Sequence, residues 1–337
     1  MEGGLLVLIS RKKIIGSFVG TAVLLVGLFL FAVNTGSLKV TPVELFRGLF
    51  VAYNENVATI FDLRFPRIFI AMFGGAVMAV SGVLLQAVLK NPLADPGIIG
   101  ISSGASLVAV LITAFFPALY FFTPLFAFLG GMLAFFLVYS LSWKGGLSPL
   151  RIILVGVAVN AMFSGLMSAF NSGTGSNYSG VASIVNANIT MKTWSDLQTL
   201  LLYGLVGLIA SFFVLGQCNL LALEDKTARS LGVNVNRSRI MISVIAVLLA
   251  GIATAVIGPI SFLGLIVPHI ARLLVGSNHK ILVPYTILLG AFTLLLADTV
   301  GRTIAAPYEI SASVIMSVVG GPFFIILLRR SRQSYGQ

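Results

Sequence analysis

Residues 67–104 read RIFIAMFGGAVMAVSGVLLQAVLKNPLADPGIIGISSG, and this stretch decides the class of fold. Between Arg67 and Lys90 lie 22 residues without a charge. About twenty apolar residues cross the hydrocarbon core of a bilayer as one helix. Asn91-Pro92-Leu93-Ala94-Asp95-Pro96-Gly97 then punctuates the chain, two prolines and a glycine marking a tight turn. A second apolar run follows from Ile98. Gly74-Gly75, Ser81-Gly82 and the Gly100/Gly104 pair are small-residue spacings, which in lipid let helix backbones approach closely. The pattern is span, turn, span.

Composition extends that pattern to the whole chain. Of 337 residues, 58% are hydrophobic and only 9% charged, with mean hydropathy +1.05. A soluble domain carries about a quarter charged residues to solvate its surface. Here the surrounding solvent must be lipid. Apolar segments fall near 14–33, 67–89, 97–116, 120–142, 150–170, 197–217, 240–258, 259–275, 282–304 and 311–328. They predict an all-α integral membrane protein of about ten transmembrane helices in a single domain, 1–337. Gly258-Pro259 interrupts one continuous stretch, which reads as either a tight helical hairpin or a broken helix. Arg11-Lys12-Lys13 before an apolar run resembles a signal peptide, but the run is longer than a signal core, so a retained first helix is expected.

The net charge of +11 is spread between apolar runs, with no basic stripe of the kind that binds nucleic acid. Its work is orientation. With the N-terminus inside and the spans alternating, fifteen of the 21 Lys and Arg residues fall on the cytoplasmic side and six outside. That satisfies the positive-inside rule and predicts two cytoplasmic termini. Cys218, the one cysteine, excludes an internal disulfide.

Three loops are long enough to carry function: 34–66 and 171–196 outside, and 218–239 inside. The inner one contains Leu223-Glu224-Asp225-Lys226-Thr227-Ala228-Arg229-Ser230-Leu231-Gly232. It reads as a short helix with acids at its start and a glycine stop. Asp298 sits inside the ninth span, costly in hydrocarbon unless paired. Arg302, four residues on, is the expected partner, with a proton relay as the alternative.

No phosphate-binding loop, dinucleotide fingerprint, metal-ligand cluster or Ser-His-Asp arrangement occurs in the sequence. The chain is therefore expected to bind no cofactor or metal and to catalyse nothing. If transport is ATP-driven, a separate polypeptide must use the ATP and its Mg.

Several strings taken together resemble one family. They are Ser81-Gly82-x-x-x-Gln86-x-x-x-x-Asn91-Pro92-Leu93-Ala94-x-Pro96, Asp62-Leu63-Arg64-Phe65-Pro66-Arg67, and Gly258-Pro259-Ile260-Ser261-Phe262-Leu263-Gly264-Leu265-Ile266-Val267-Pro268-His269-x-x-Arg272. Leu231-Gly232 and Gly320-Gly321-Pro322-Phe323-Phe324 also fit. In order along essentially the whole chain, they resemble the FecCD permeases, the membrane subunits of type II ABC importers for siderophores, haem and vitamin B12.

The resemblance implies ten helices folded as in the vitamin B12 importer, a bacterial cell-membrane location and a second permease subunit, the same or a sister. It implies two ABC ATPase subunits beneath and a substrate-binding lipoprotein outside. Arg64, Arg67 and Arg302 look like docking residues for the binding protein's glutamates. Glu224, Asp225, Ala228, Leu231 and Gly232 resemble the coupling segment that sits on the ATPase. Asn91, Leu93, Leu147 and Ser148 match positions of a cytoplasmic gate. The run Met191-Lys192-Thr193-Trp194-Ser195-Asp196 is somewhat closer to Gram-positive haem permeases, with a siderophore as runner-up and vitamin B12 or another metal chelate beyond it. An ion-coupled secondary transporter would need further intramembrane acids and an inverted repeat. A membrane scaffold would not need the polar inner loop.

Overall fold

The computed structural model describes residues 10–35, 40–142, 149–173, 181–190 and 192–335. The described residues form fourteen α-helices and one short 3-10 turn. The helices are α1 (Arg11–Asn34), α2 (Pro42–Phe50), α3 (Glu55–Leu89), α4 (Ile101–Phe115), α5 (Thr123–Ser142), α6 (Pro149–Gly173) and α7 (Val181–Val185). They continue with α8 (Trp194–Phe213), α9 (Leu215–Leu221), α10 (Asp225–Ser230), α11 (Val235–Ile257), α12 (Leu263–Val275), α13 (His279–Ile304) and α14 (Ala312–Tyr335). Eight are long and apolar enough to cross a membrane, and α4 and α12 are shorter apolar helices. Every predicted apolar segment overlaps at least one of these helices.

Helix α3 is the hub. Of its most apolar stretch 83% is buried, against 6% for α1 and 17% for α14, which lie at the periphery. Lipid tails are as apolar as leucine, so burial here gains close dispersion contact rather than escape from water. Glycine allows that contact. A Cβ on Gly290 of α13 would lie 2.6 Å from the Gly75 carbonyl of α3. One on Gly104 of α4 would lie 2.7 Å from the Gly130 carbonyl of α5. The small-residue pairs seen in the sequence are the places where these backbones touch.

Two segments differ from their sequence reading, and a third resolves a choice it left open. First, α3 begins at Glu55 rather than near 67, nucleated by Asn54, whose side chain caps the Asn56 and Val57 amides. Its 35 residues reach roughly 50 Å at 1.5 Å per residue. The Asp62–Arg67 motif is therefore on the N-terminal extension of a helix and not in a loop. Second, the turn after α3 is not a surface turn. Residues 94–97 are all buried, and Gly97 packs against Ser261 at the entrance of α12. This is irregular backbone enclosed by protein, the condition under which it is tolerated at membrane depth. It shortens α4, which starts only at Ile101.

Third, the Gly258-Pro259 stretch resolves to two helices joined by residues 258–262. Gly258 takes φ +78° and Phe262 φ +68°, and the chain turns beside Ala187 of the outer loop. The inner segment 218–239 is likewise partly helical: Cys218–Leu221 completes α9 and Val235 already opens α11.

Candidate functional site

Two charged clusters occupy opposite ends of the α3 bundle. One begins where α3 stops. Lys90 caps the helix in the left-handed region, φ 48°. Its Nζ donates to the Leu223 carbonyl at 2.6 Å and to Asp225 Oδ1 at 2.9 Å. Asp225 opens α10, and the same oxygen accepts from Arg239 Nη2 of α11 at 2.9 Å. The Lys90 hydrogen bond is the main cause holding the Asp225 carboxyl below its usual range; its slight burial opposes this, and Arg239 and Arg229 reinforce it. One carboxylate thus ties three elements together.

Helix α10 stands where the acid-to-glycine string predicts it. Glu224 is its N-cap position and Gly232 ends it with φ +82°. Ala228 is buried and anchors the helix; Glu224, Leu231 and Gly232 are exposed. The polar face of α10 is therefore presented away from the bundle.

Behind this junction, Asn91 and Leu93 open the buried segment. Asn91 Oδ1 accepts the Leu93 amide at 2.9 Å, and Asn91 Nδ2 is buried with no partner. Gln86 holds the segment to α12, donating to the Ala94 and Gly264 carbonyls at 3.2 and 3.1 Å and accepting from Arg272. Asp95 accepts the Gly97 and Ile98 amides at 2.8 and 3.0 Å. Its other oxygen faces the Phe262 and Gly264 amides, short of hydrogen-bond geometry. Complete burial pushes this carboxyl up to about 6, and the amides pull it partly back. Leu147 and Ser148 lie outside the described residues.

The cluster at the other end centres on Asp298 of α13. Arg67 reaches it through Nη2 at 2.9 Å and Nε at 3.1 Å, and gives Nη1 to Glu309 at 2.9 Å. Arg302 lies 3.3 Å from the other Asp298 oxygen, which is the predicted i, i+4 pair. Arg67 and Arg302 are only 6% and 9% exposed. They face the interior rather than the outer surface. Arg64 donates to the Val33 carbonyl at 2.7 Å, and Arg302 to the Ala32 carbonyl at 3.4 Å. Both arginines thus sit at the C-terminal carbonyls of α1, where cations are favoured. Glu309 is the member that reaches the surface, and it also accepts from Thr190 at 2.7 Å. Burial opposes its charge, but Thr190 and Arg67 outweigh that and hold the carboxyl below its usual range.

Sequence reading reached Arg64, Arg67, Arg302, Asp298 and the α10 string. It missed Lys90 and Arg239, which count only as orientation charges until the fold brings them to Asp225. It also missed Asp95 and Glu309. Asp95 sits inside a quoted motif, and that was the available signal; Glu309 carries none.

The profile of the FecCD transport family matches residues 24–330. A Staphylococcus aureus protein (strain Newman) described as a probable heme-iron transport system permease protein, IsdF, is 40% identical over 325 residues, covering 96% of this chain and 98% of its own length. The same protein from strain MSSA476 is 39% identical over the same shares. Among solved structures, an inward-facing metal-chelate type ABC transporter superposes with TM-score 0.73 at 28% identity, over 94% of this chain and 99% of its own. PsaBC of Streptococcus pneumoniae, solved with a Fab, gives TM-score 0.57 at 18% identity over 85% and 95%, a likeness of fold alone.

Proposed function

The chain belongs to the FecCD transport family, and from that premise we propose that its cargo is haem, with a ferric siderophore as the second reading. It is the non-catalytic permease subunit of an ATP-driven iron-chelate importer in the bacterial membrane, and a separate ATPase hydrolyses ATP. The observation that favours haem is the likeness, along 96% of the chain, to a relative described as a heme-iron permease.

The finer architecture in this reading is ten spans, with α4 and α12 as the two short ones, and both termini in the cytoplasm. A second permease copy or sister completes the path. Two ATPase subunits receive the exposed face of α10, through Glu224, Leu231 and Gly232, while Ala228 seats the helix. An ATPase stroke on α10 reaches the end of α3 through Asp225 and Lys90. The adjoining segment with Asn91 and Leu93, together with Leu147 and Ser148, forms the inner gate. A binding lipoprotein docks on the outer end, where its acidic groups compete with Glu309 for Arg67 and bring Arg64 and Arg302 into play. No cofactor is held by this chain. Inward- and outward-facing populations shift because ATP and the loaded lipoprotein bind the two states differently.

A strain lacking the gene, given haem or a panel of ferric siderophores as sole iron source, tests the cargo. Loss of growth on haem alone, restored by the gene, supports the proposal. Loss on one siderophore class with haem use intact replaces haem by that siderophore.

A further inference from the structure

The inner junction holds more positive charge than its carboxylate can answer. Lys90 and Arg239 both take Asp225 Oδ1, each at 2.9 Å, and Arg229 acts on the same carboxylate from α10. The surplus is concentrated at Arg239. Its guanidinium carries five donors and makes a single hydrogen bond among the described residues. Its Nε is closed to water and has no acceptor, and the side chain is 19% exposed. Beyond the Asp225 bond the guanidinium therefore keeps donors that a second anionic oxygen can take.

Beside Arg239 is a cavity of about 450 Å³ between α5 and α11. Phe135, Phe136 and Tyr139 form its α5 wall, and Asn236 and Ser243 stand with Arg239 on α11. Asn236 is the second residue of α11, so the polar end lies at the helix boundary. Its remaining lining is mostly apolar and reaches the surface of the bundle, where Phe136 is 64% and Ile240 67% exposed. An occupant must present an anion at the helix boundary and hydrocarbon along the bundle. We propose that this cavity is a binding site for an anionic phospholipid, its headgroup phosphate on Arg239 and Asn236 and its acyl chains along Phe136 and Ile240. Basic pockets between transmembrane helices at the cytoplasmic face recognise such headgroups. The site rests on the inner-end reading of α10 and α11, and it places lipid charge in direct contact with the junction that ties α10 to α3.

Native mass spectrometry of the full-length permease, purified in detergent and exposed to phosphatidylglycerol or phosphatidylcholine, reads this binding without requiring transport. Its failure therefore leaves the importer reading untouched. The wild type is expected to retain phosphatidylglycerol about fivefold better, on the scale of one basic contact at a membrane surface. Arg239→Gln removes the ligand's partner, and Ser243→Phe fills the cavity while leaving the Asp225 junction intact. Each should abolish the preference while the protein stays monodisperse. An unchanged preference in Ser243→Phe, or equal retention of both lipids by the wild type, overturns the proposal. So does displacement of the lipid by millimolar inorganic phosphate, which would put a free anion in the cavity. Efficient Phe136→Cys cross-linking between two copies would put a second permease there and overturns it too.

Discussion

Lys90 and Asp225 stand 2.9 Å apart, the first ending α3 and the second opening α10. They are 135 residues apart in the chain. Among the described residues no other ion pair joins α10 to α3, and the Leu223 carbonyl on the same ammonium makes the joint two-pronged. The joint therefore links α10 to the residue that precedes Asn91.

Asp225→Asn should lower ATP-driven uptake about tenfold while changing stability little. Both side chains are about a third exposed, and such pairs contribute at most ~1 kcal/mol. Transport and thermal unfolding measured on one preparation separate the two effects. The swap Lys90→Asp with Asp225→Lys should recover part of the uptake that either single change removes, whereas a joint of no consequence leaves all three variants at wild-type rates.

Gly232 has open space where a Cβ would go, so a side chain there meets only backbone strain at φ +82°. That strain is about 1–2 kcal/mol. It falls at the end of α10, the segment proposed to meet the ATPase. Gly232→Val is expected to insert normally and lose most uptake; Gly232→Asn, which tolerates this conformation, should retain more. Unchanged uptake in the valine variant would count against coupling through this segment.

Asp298→Asn leaves two buried arginines without their shared counter-charge. Breaking a buried pair from one side costs about 3–5 kcal/mol, so a large fall in melting temperature and in membrane yield is expected. Glu309→Gln should be mild for stability, because that side chain is 40% exposed. It should tighten lipoprotein docking by freeing Arg67, measurable as a lower Kd on permease in nanodiscs. Weaker docking would show that Glu309 is itself a contact.

The carboxyl of Asp95 is raised to about 6 from 3.8. The folded state therefore holds this proton more tightly than the unfolded state. The stability it contributes is fully present below its ordinary value and is lost as pH rises through about 6. Asp95→Asn keeps an acceptor for Gly97 and Ile98 without the buried charge. The variant should gain stability over wild type at about pH 8 and show little gain at about pH 4, by thermal unfolding in detergent. A difference that does not change with pH would mean Asp95 is not titrating there.

Much of the fold was legible because lipid imposes a simple rule: long uncharged runs are helices, and close helices need small residues. The apolar segments, the close-packing glycines Gly75 and Gly104, the α10 string and the Asp298–Arg302 pair all follow from local spacing; their partners Gly290 and Gly130 do not. What was not legible depends on tertiary position. Nothing local says that Asp95 is buried, since a turn rich in proline reads as surface until α12 is seen packed on it. Asp62–Pro66 reads as the end of the 34–66 loop because the uncharged run begins only after Arg67, yet α3 runs through it from the Asn54 cap. Arg239 looks like one more orientation charge until its distance to Asp225 is known. Arg67 and Arg302, read as outward docking groups, are turned inward by Asp298.

Uptake of labelled haem into proteoliposomes holding this permease, its ATPase and its binding lipoprotein tests the central claim most directly. ATP-dependent accumulation of haem that requires the lipoprotein and collapses in Asp225→Asn is the predicted result. Accumulation without ATP, driven instead by an imposed ion gradient, would contradict it.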